Sequence, residues 1–159
     1  MNSELEELYQ QVLLDHSKRP RNFGEITEGA VHVHGDNPSC GDEIHLHVRF
    51  GEDGKVEDLK FTGMGCAISQ ASASMMTLKL KGKSREEATE MLHSFHDLVT
   101  KDVPEPPKQL GDLRLMQGVR KFPQRVKCAM LAWRAFEQAL AEVPHDGETR
   151  ISTEADDPS

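Results

Sequence analysis

No stretch of this sequence approaches the roughly 18 consecutive apolar residues that cross a bilayer. Its start, Met1-Asn2-Ser3-Glu4, leads straight into an amphipathic pattern without the basic region and apolar core of a signal peptide. Both absences predict a soluble, cytoplasmic protein. Positive charge is also scarce: 19 Lys and Arg stand against 27 Asp and Glu, a formal net charge of -8. Phosphate-rich partners need clustered cations, so nucleic acid and anionic membrane surfaces are disfavoured and a protein or a cation is favoured. Cysteine is limited to Cys40, Cys66 and Cys128, with no Cys-x-x-Cys pair. An odd set cannot pair completely, and in a reducing compartment these thiols read as ligands or reactive groups. A disulfide with one odd thiol, or burial as small hydrophobes, are the other readings. Internal repeats are absent, and 159 residues suit one domain with one core.

What is present is mostly periodicity. Ser3 to about Ser17 has helical spacing at Leu5, Leu8, Tyr9, Val12 and Leu13, with Ser3 and Glu6 as a capping box. Pro20 breaks it, and His16, Arg19 and Arg21 read as a solvated basic corner. Val31 to His34 and Glu43 to Phe50 alternate strictly, which turns Val31, Val33, Ile44, Leu46, Val48 and Phe50 inward and His32, His34, His45 and His47 outward. A third strand, Lys55 to Phe61, follows the Gly51-Glu52-Asp53-Gly54 turn, giving three strands expected to be antiparallel. A helix is expected from Cys66 to Gly82 with Ile68, Ala71, Met75 and Leu78 on its packed face and Ser69, Ser72 and Ser74 elsewhere. Ser84 and Glu87 cap the next, whose stripe is Ala88, Met91, Leu92, Phe95 and Val99, leaving His93 and His96 to solvent. Lys101 to Gly111 reads as an extended loop, Asp112 to Gln117 as a short helix ended by Gly118, and Pro123 to Glu142 as the last helix. Residues 1–143 are thus expected to form the domain and 144–159 an acidic, disordered tail.

The chemistry concentrates at three places. Gly63-Met64-Gly65-Cys66 ends a strand in a tight turn, so Cys66 opens a helix where unpaired amides and the helix dipole favour the thiolate. Cys40 and Asp42, two residues apart at the entry to a strand, project to one side. Cys128 lies in the first turns of the last helix. Three thiolates and a carboxylate suffice for a tetrahedral shell. Zinc suits that donor set, and the carboxylate keeps Fe²⁺ or a nascent iron–sulfur cluster open. Such a shell around a divalent ion carries a formal negative charge that Arg125 and Lys127, flanking Cys128, would partly offset.

Asn37-Pro38-Ser39-Cys40-Gly41-Asp42, Gly63 to Ser69 with Ala71 to Met76, and Lys121 to Ala129 together resemble the IscU/NifU N-terminal family, and more particularly its SufU branch. The resemblance runs from Leu5 to about Glu142. It implies an α+β fold, a three-stranded antiparallel sheet with helices packed mainly on one face. It implies zinc held by Cys40, Asp42, Cys66 and Cys128, with Cys40 as the catalytic residue. Scaffolds of the IscU type carry a histidine directly before the third cysteine; Lys127 stands there here, and the segment containing Gly111-Asp112-Leu113 resembles the SufU insertion. The activity so implied is a zinc-dependent sulfurtransferase that takes persulfide sulfur from a SufS-type, PLP-dependent cysteine desulfurase and supplies downstream SUF assembly proteins. By the same resemblance, a desulfurase histidine takes a zinc position and frees Cys40. Two alternatives stand beside it: an IscU-like scaffold on which a cluster is built, and a non-catalytic adaptor with structural zinc.

Overall fold

The computed structural model describes residues 3–142 and 149–152. Its elements are α1 (Ser3–Lys18), β1 (Val31–Asn37), β2 (Asp42–Phe50), β3 (Val56–Met64), α2 (Ala67–Leu80), α3 (Arg85–Thr100), a 3₁₀ segment (Lys108–Lys121), α4 (Pro123–Leu140) and β4 (Thr149–Ser152). The α+β class and the packing of helices on one sheet face agree with the sequence reading.

Strictly alternating side chains bury one face of β1 and β2, and the register follows from that alternation. Val33 opposes Leu46 and Val31 opposes Val48, while Leu46 opposes Phe61 and Val48 opposes Leu59 on the next strand. All six are fully buried. Helix α4 packs on β1 and β2, α2 packs beside it and on β3, and α1 and α3 close the outside.

The sheet has four strands in the order β3-β2-β1-β4, one more than expected. Residues 149–152, which read as tail in the sequence, lie parallel to β1. The short Thr149-Arg150-Ile151 alternation is enough to pair because Ile151 packs against the core beside Gly35. The rest of the expected tail lies outside the described residues, as do the side chains of the Ser3–Glu6 capping box.

Helix α2 departs most from its reading. Ser69, Ser72 and Ser74 are buried, whereas Leu78 is 52% exposed. A helix covered on nearly all sides has no single apolar stripe, and its polar groups must find partners inside. They do so across the helix interfaces. The Ser72 hydroxyl donates to the Ala129 carbonyl at 2.6 Å and accepts from the Trp133 indole N–H at 3.0 Å. Ser74 Oγ lies 2.7 Å from His16 Nδ1 and accepts the Arg21 amide at 2.8 Å. His16 is therefore buried, not part of a solvated corner, and burial, then the Arg21 charge, lower its pKa and keep the ring neutral.

Part of the expected loop is also ordered. Lys108 onward is 3₁₀ helix with a break at Gly111, and it continues past Gly118 to Lys121. Leu110, Leu113, Met116 and Val119 are buried at intervals of three, the period at which a 3₁₀ helix repeats its face. Helix α3 keeps its expected Ser84–Glu87 capping box and stripe. On it His93 is exposed and His96 half-buried.

Candidate metal centre

The centre forms where the turn of the β1–β2 hairpin, the end of β3 and the N-terminal parts of α2 and α4 meet. Backbone bonds from the Cys40 and Gly41 amides to the Asn37 carbonyl, at 3.1 and 3.0 Å, close the hairpin turn. Cys40 is exposed in that turn rather than in the strand itself. Asp42, the first residue of β2, faces inward and is 1% exposed.

Two glycines let the next element come close. Gly63 has φ of 153°, and a Cβ there would run into the Glu43 carbonyl. Gly65 needs no unusual φ; a Cβ on it would overlap the Asp42 carboxylate. The carboxylate instead reaches the N-terminus of α2, where Oδ1 accepts the Cys66 amide at 2.8 Å. Cys66 is the N-cap, its sulfur accepting the Ser69 amide at 3.4 Å, and Asp42 Oδ2 lies 3.8 Å from that sulfur. Gly65→Ala is expected to displace Asp42, weakening metal binding at least about tenfold, the scale of losing a group that orients a ligand. Metal affinity by competition with a chromophoric chelator checks this, with the circular dichroism spectrum expected to stay unchanged.

Cys128 is fully buried in α4 and is the hub. Its sulfur lies 3.5 Å from that of Cys40, and the Asn37 side-chain amide donates to it at 3.6 Å. The Ser72–Ala129 and Ser72–Trp133 bonds pin α4 against α2 next door, which fixes Cys128 relative to Cys66. Cys128 is also within hydrogen-bonding reach of Cys66. This first, then the backbone amides of Ser69 and Ile68 working against burial, lowers the Cys66 pKa to about 6. Hydrogen bonding to Cys66, then burial and the bonds to Asp42 and Cys40, push the Cys128 thiol up. In the metal-free centre Cys66 is thus the readier of the two thiols to ionise.

The donor set fits a metal ion. Among the described residues, ligand atoms of Cys40, Asp42 and Cys128 lie within 4.8 Å of one another. The 3.5 Å sulfur separation is close to the roughly 3.8 Å between two sulfurs of a tetrahedral zinc centre. Cys66, outside that trio, adjoins it through Asp42 and Cys128. Of the four residues singled out from sequence, three converge and the fourth, Cys66, lies beside them.

Two further residues at the centre carry little signal in the sequence. Asn37, fully buried, turns its amide nitrogen to Cys128, and its Oδ1 is buried without a hydrogen-bond partner. Its position in the Asn37-Pro38 turn is the one hint. Tyr9 of α1, part of an apolar stripe by its spacing, has its pKa raised by burial and is close enough to feel both Arg125 and Cys66. Arg125 itself is exposed and Lys127 half-buried.

Residues 8–129 match the family model described as the NifU-like N terminal domain. The chain belongs to the NifU N-terminal family. Among its relatives, an iron–sulfur cluster assembly scaffold protein IscU of Streptococcus pyogenes is 48% identical over 87% of this chain and 86% of its own length. A zinc-dependent sulfurtransferase SufU of Bacillus subtilis is 47% identical over 89% of this chain and 95% of its own. A crystal structure described as that of an iron–sulfur cluster assembly scaffold protein for the SUF system from Fervidobacterium islandicum superposes with a TM-score of 0.75. It is 38% identical and covers 82% of this chain and 94% of that one. The family's two named activities thus stand at equal distance from this NifU-type chain.

Proposed function

We propose that the protein acts in cytoplasmic iron–sulfur cluster assembly as a zinc-dependent sulfurtransferase. It accepts persulfide sulfur from a SufS-type cysteine desulfurase and passes it to later SUF assembly proteins. The observation that carries this reading is the contrast within the ligand set. Cys40 is exposed in a turn, whereas Asp42 and Cys128 are buried and Cys66 half-buried. One donor can leave and meet a partner while three stay anchored. Lys127 before Cys128, in place of the scaffold-type histidine, supports the same branch.

Cys40, Asp42, Cys66 and Cys128 are the proposed ligands. Bound zinc would hold the sulfurs as thiolates at neutral pH with no redox chemistry of its own. Cys40, as thiolate, attacks the outer sulfur of the desulfurase persulfide. The new S–S bond forms on Cys40, the old one breaks, and the desulfurase cysteine leaves as a thiolate. Electrons balance without an external reductant. Asp42 is the positioning residue, since its carboxylate also carries the Cys66 amide and ties the turn to α2.

The test is desulfurase turnover with the protein as purified, zinc-stripped and zinc-restored. Stimulation that vanishes on stripping and returns with zinc is expected. The scaffold reading is favoured by the 48% identical relative named for that role. It would replace ours if no zinc state stimulates, yet anaerobic loading with iron and sulfide gives a cluster that transfers to an apo-ferredoxin. A structural adaptor would unfold on stripping and leave turnover unchanged.

A further inference from the structure

Four of the eight histidines lie in one block on the sheet face turned away from the core. The register sets His32 opposite His47 and His34 opposite His45. Each pair stacks with ring centroids 4.3 Å apart, at 14° and 4° between planes. Alternation predicts that they are exposed; instead His32, His34 and His45 are half-buried and His47 is 7% exposed. The diagonal pair matters most, because His32 Nε2 lies 3.2 Å from His45 Nδ1.

Two imidazole nitrogens on one ion, each at about 2.0–2.1 Å, are separated by roughly 2.9 Å when cis at a right angle and 3.4 Å when tetrahedral. The observed separation falls between these values. We propose that His32 and His45 form a second metal site, built of imidazoles and suited to a late divalent transition ion such as Ni²⁺ or Zn²⁺. Water completes the shell, together with His47 if its ring turns.

Three features support a site over a chance pair. His47 Nε2 is buried without a hydrogen-bond partner beside the pair, an available third donor. Burial, then the neighbouring His32, keep that ring neutral, the form that ligates. Stacking on His47 and His34 also limits how far the two ring planes can turn, so less freedom is lost on binding. The row beyond them pairs Asp36 with Glu43, acidic groups that favour a cation, whereas Lys60 and Arg150 flank the block on the outer strands. The balance suits an ion held by nitrogen donors rather than a site of pure charge attraction. On binding, the hydrogen that one ring donates to the other moves to that ring's far nitrogen, so both rings bind as neutral imidazoles.

The site is independent of the thiolate centre, and its test is arranged accordingly. The zinc-loaded full chain is titrated with Ni²⁺ by calorimetry and by proton NMR of the histidine rings. Wild type is expected to take one further equivalent, with paramagnetic broadening of the His32 and His45 ring protons. His32→Gln and His45→Gln should each weaken that equivalent at least about tenfold. His93→Gln, on the exposed face of α3, should leave it unchanged. Broadening confined to other histidines, no further equivalent, or equal binding by the His32 and His45 variants would overturn the proposal. Unchanged melting temperatures of the zinc-loaded variants establish that a loss is local, and each single variant removes one donor, so one that unfolds is replaced by the other.

Discussion

Replacing Cys40 with alanine is expected to abolish sulfur acceptance while leaving the fold intact. The side chain is exposed in the β1–β2 turn, and Asn37 accepts the turn's backbone bonds whatever residue stands at 40. Truncation there opens no cavity, so stability should change by no more than about 0.5 kcal/mol. The chemistry has no such tolerance. Cys66 is half-buried at a helix start and Cys128 is buried under Asn37, so both are less open than Cys40 to a persulfide held on another protein. With the nucleophile gone, transferred sulfur should fall at least about 100-fold. Intact-protein mass spectrometry after incubation with desulfurase and cysteine measures the added sulfur directly. Sulfur appearing on Cys66 of Cys40→Ala at the wild-type rate would assign the acceptor role elsewhere.

A contrast between local and distant partners decides which features are legible in the sequence. Strand pairing and its inward face are legible because period-two alternation in β1 and β2 has one solution, and Ser84 with Glu87 is a local signal that needs no tertiary context. The convergence of Cys40, Asp42 and Cys128, with Cys66 beside them, is legible because cysteine and its neighbours keep their chemistry wherever the chain puts them. Other features depend on neighbours that the sequence does not name. Ser72 is buried because Trp133 and Ala129, from another helix, satisfy its hydroxyl. His16 is buried because Ser74 answers it. Neither partner is near in sequence, so polarity alone reads as exposure. The 3₁₀ segment is obscured for a different reason: the period of three in Leu110, Leu113, Met116 and Val119 is there, but three prolines and Gly111 around its start suggest a loop. β4 is four residues stabilised chiefly by a sheet edge already in place. Asp42 shows the limit at the site. Its spacing from Cys40 points to convergence, yet its bond to the Cys66 amide makes it an anchor, and Cys40 is the donor with freedom to move.

The hub position yields the second large effect. A metal entering this centre must expel the Cys128 proton, which hydrogen bonding to Cys66, and then burial, hold in place. Zinc affinity should therefore rise with pH. It should fall more steeply below about pH 6, where Cys66 takes up a proton as well and one more must be displaced. Cys128→Ala removes a buried ligand and the leading hydrogen bond that lowers the Cys66 pKa. Two results are expected together. Zinc affinity should fall at least about 100-fold, because a thiolate lost from a four-donor shell costs more than an orienting group. In the zinc-free variant Cys66 should titrate above its present value of about 6, toward an ordinary thiol. Following thiolate absorbance against pH, with Cys40→Ala in the background to remove the exposed thiol, isolates that titration. Without the Cys128 hydrogen bond the ionised form of Cys66 is less stabilised, so protonation sets in at higher pH. An unmoved titration would mean that the Ser69 and Ile68 amides of the α2 N-terminus ionise Cys66 without help. Cys128 would then be a ligand only, rather than the group that keeps one sulfur charged before metal arrives.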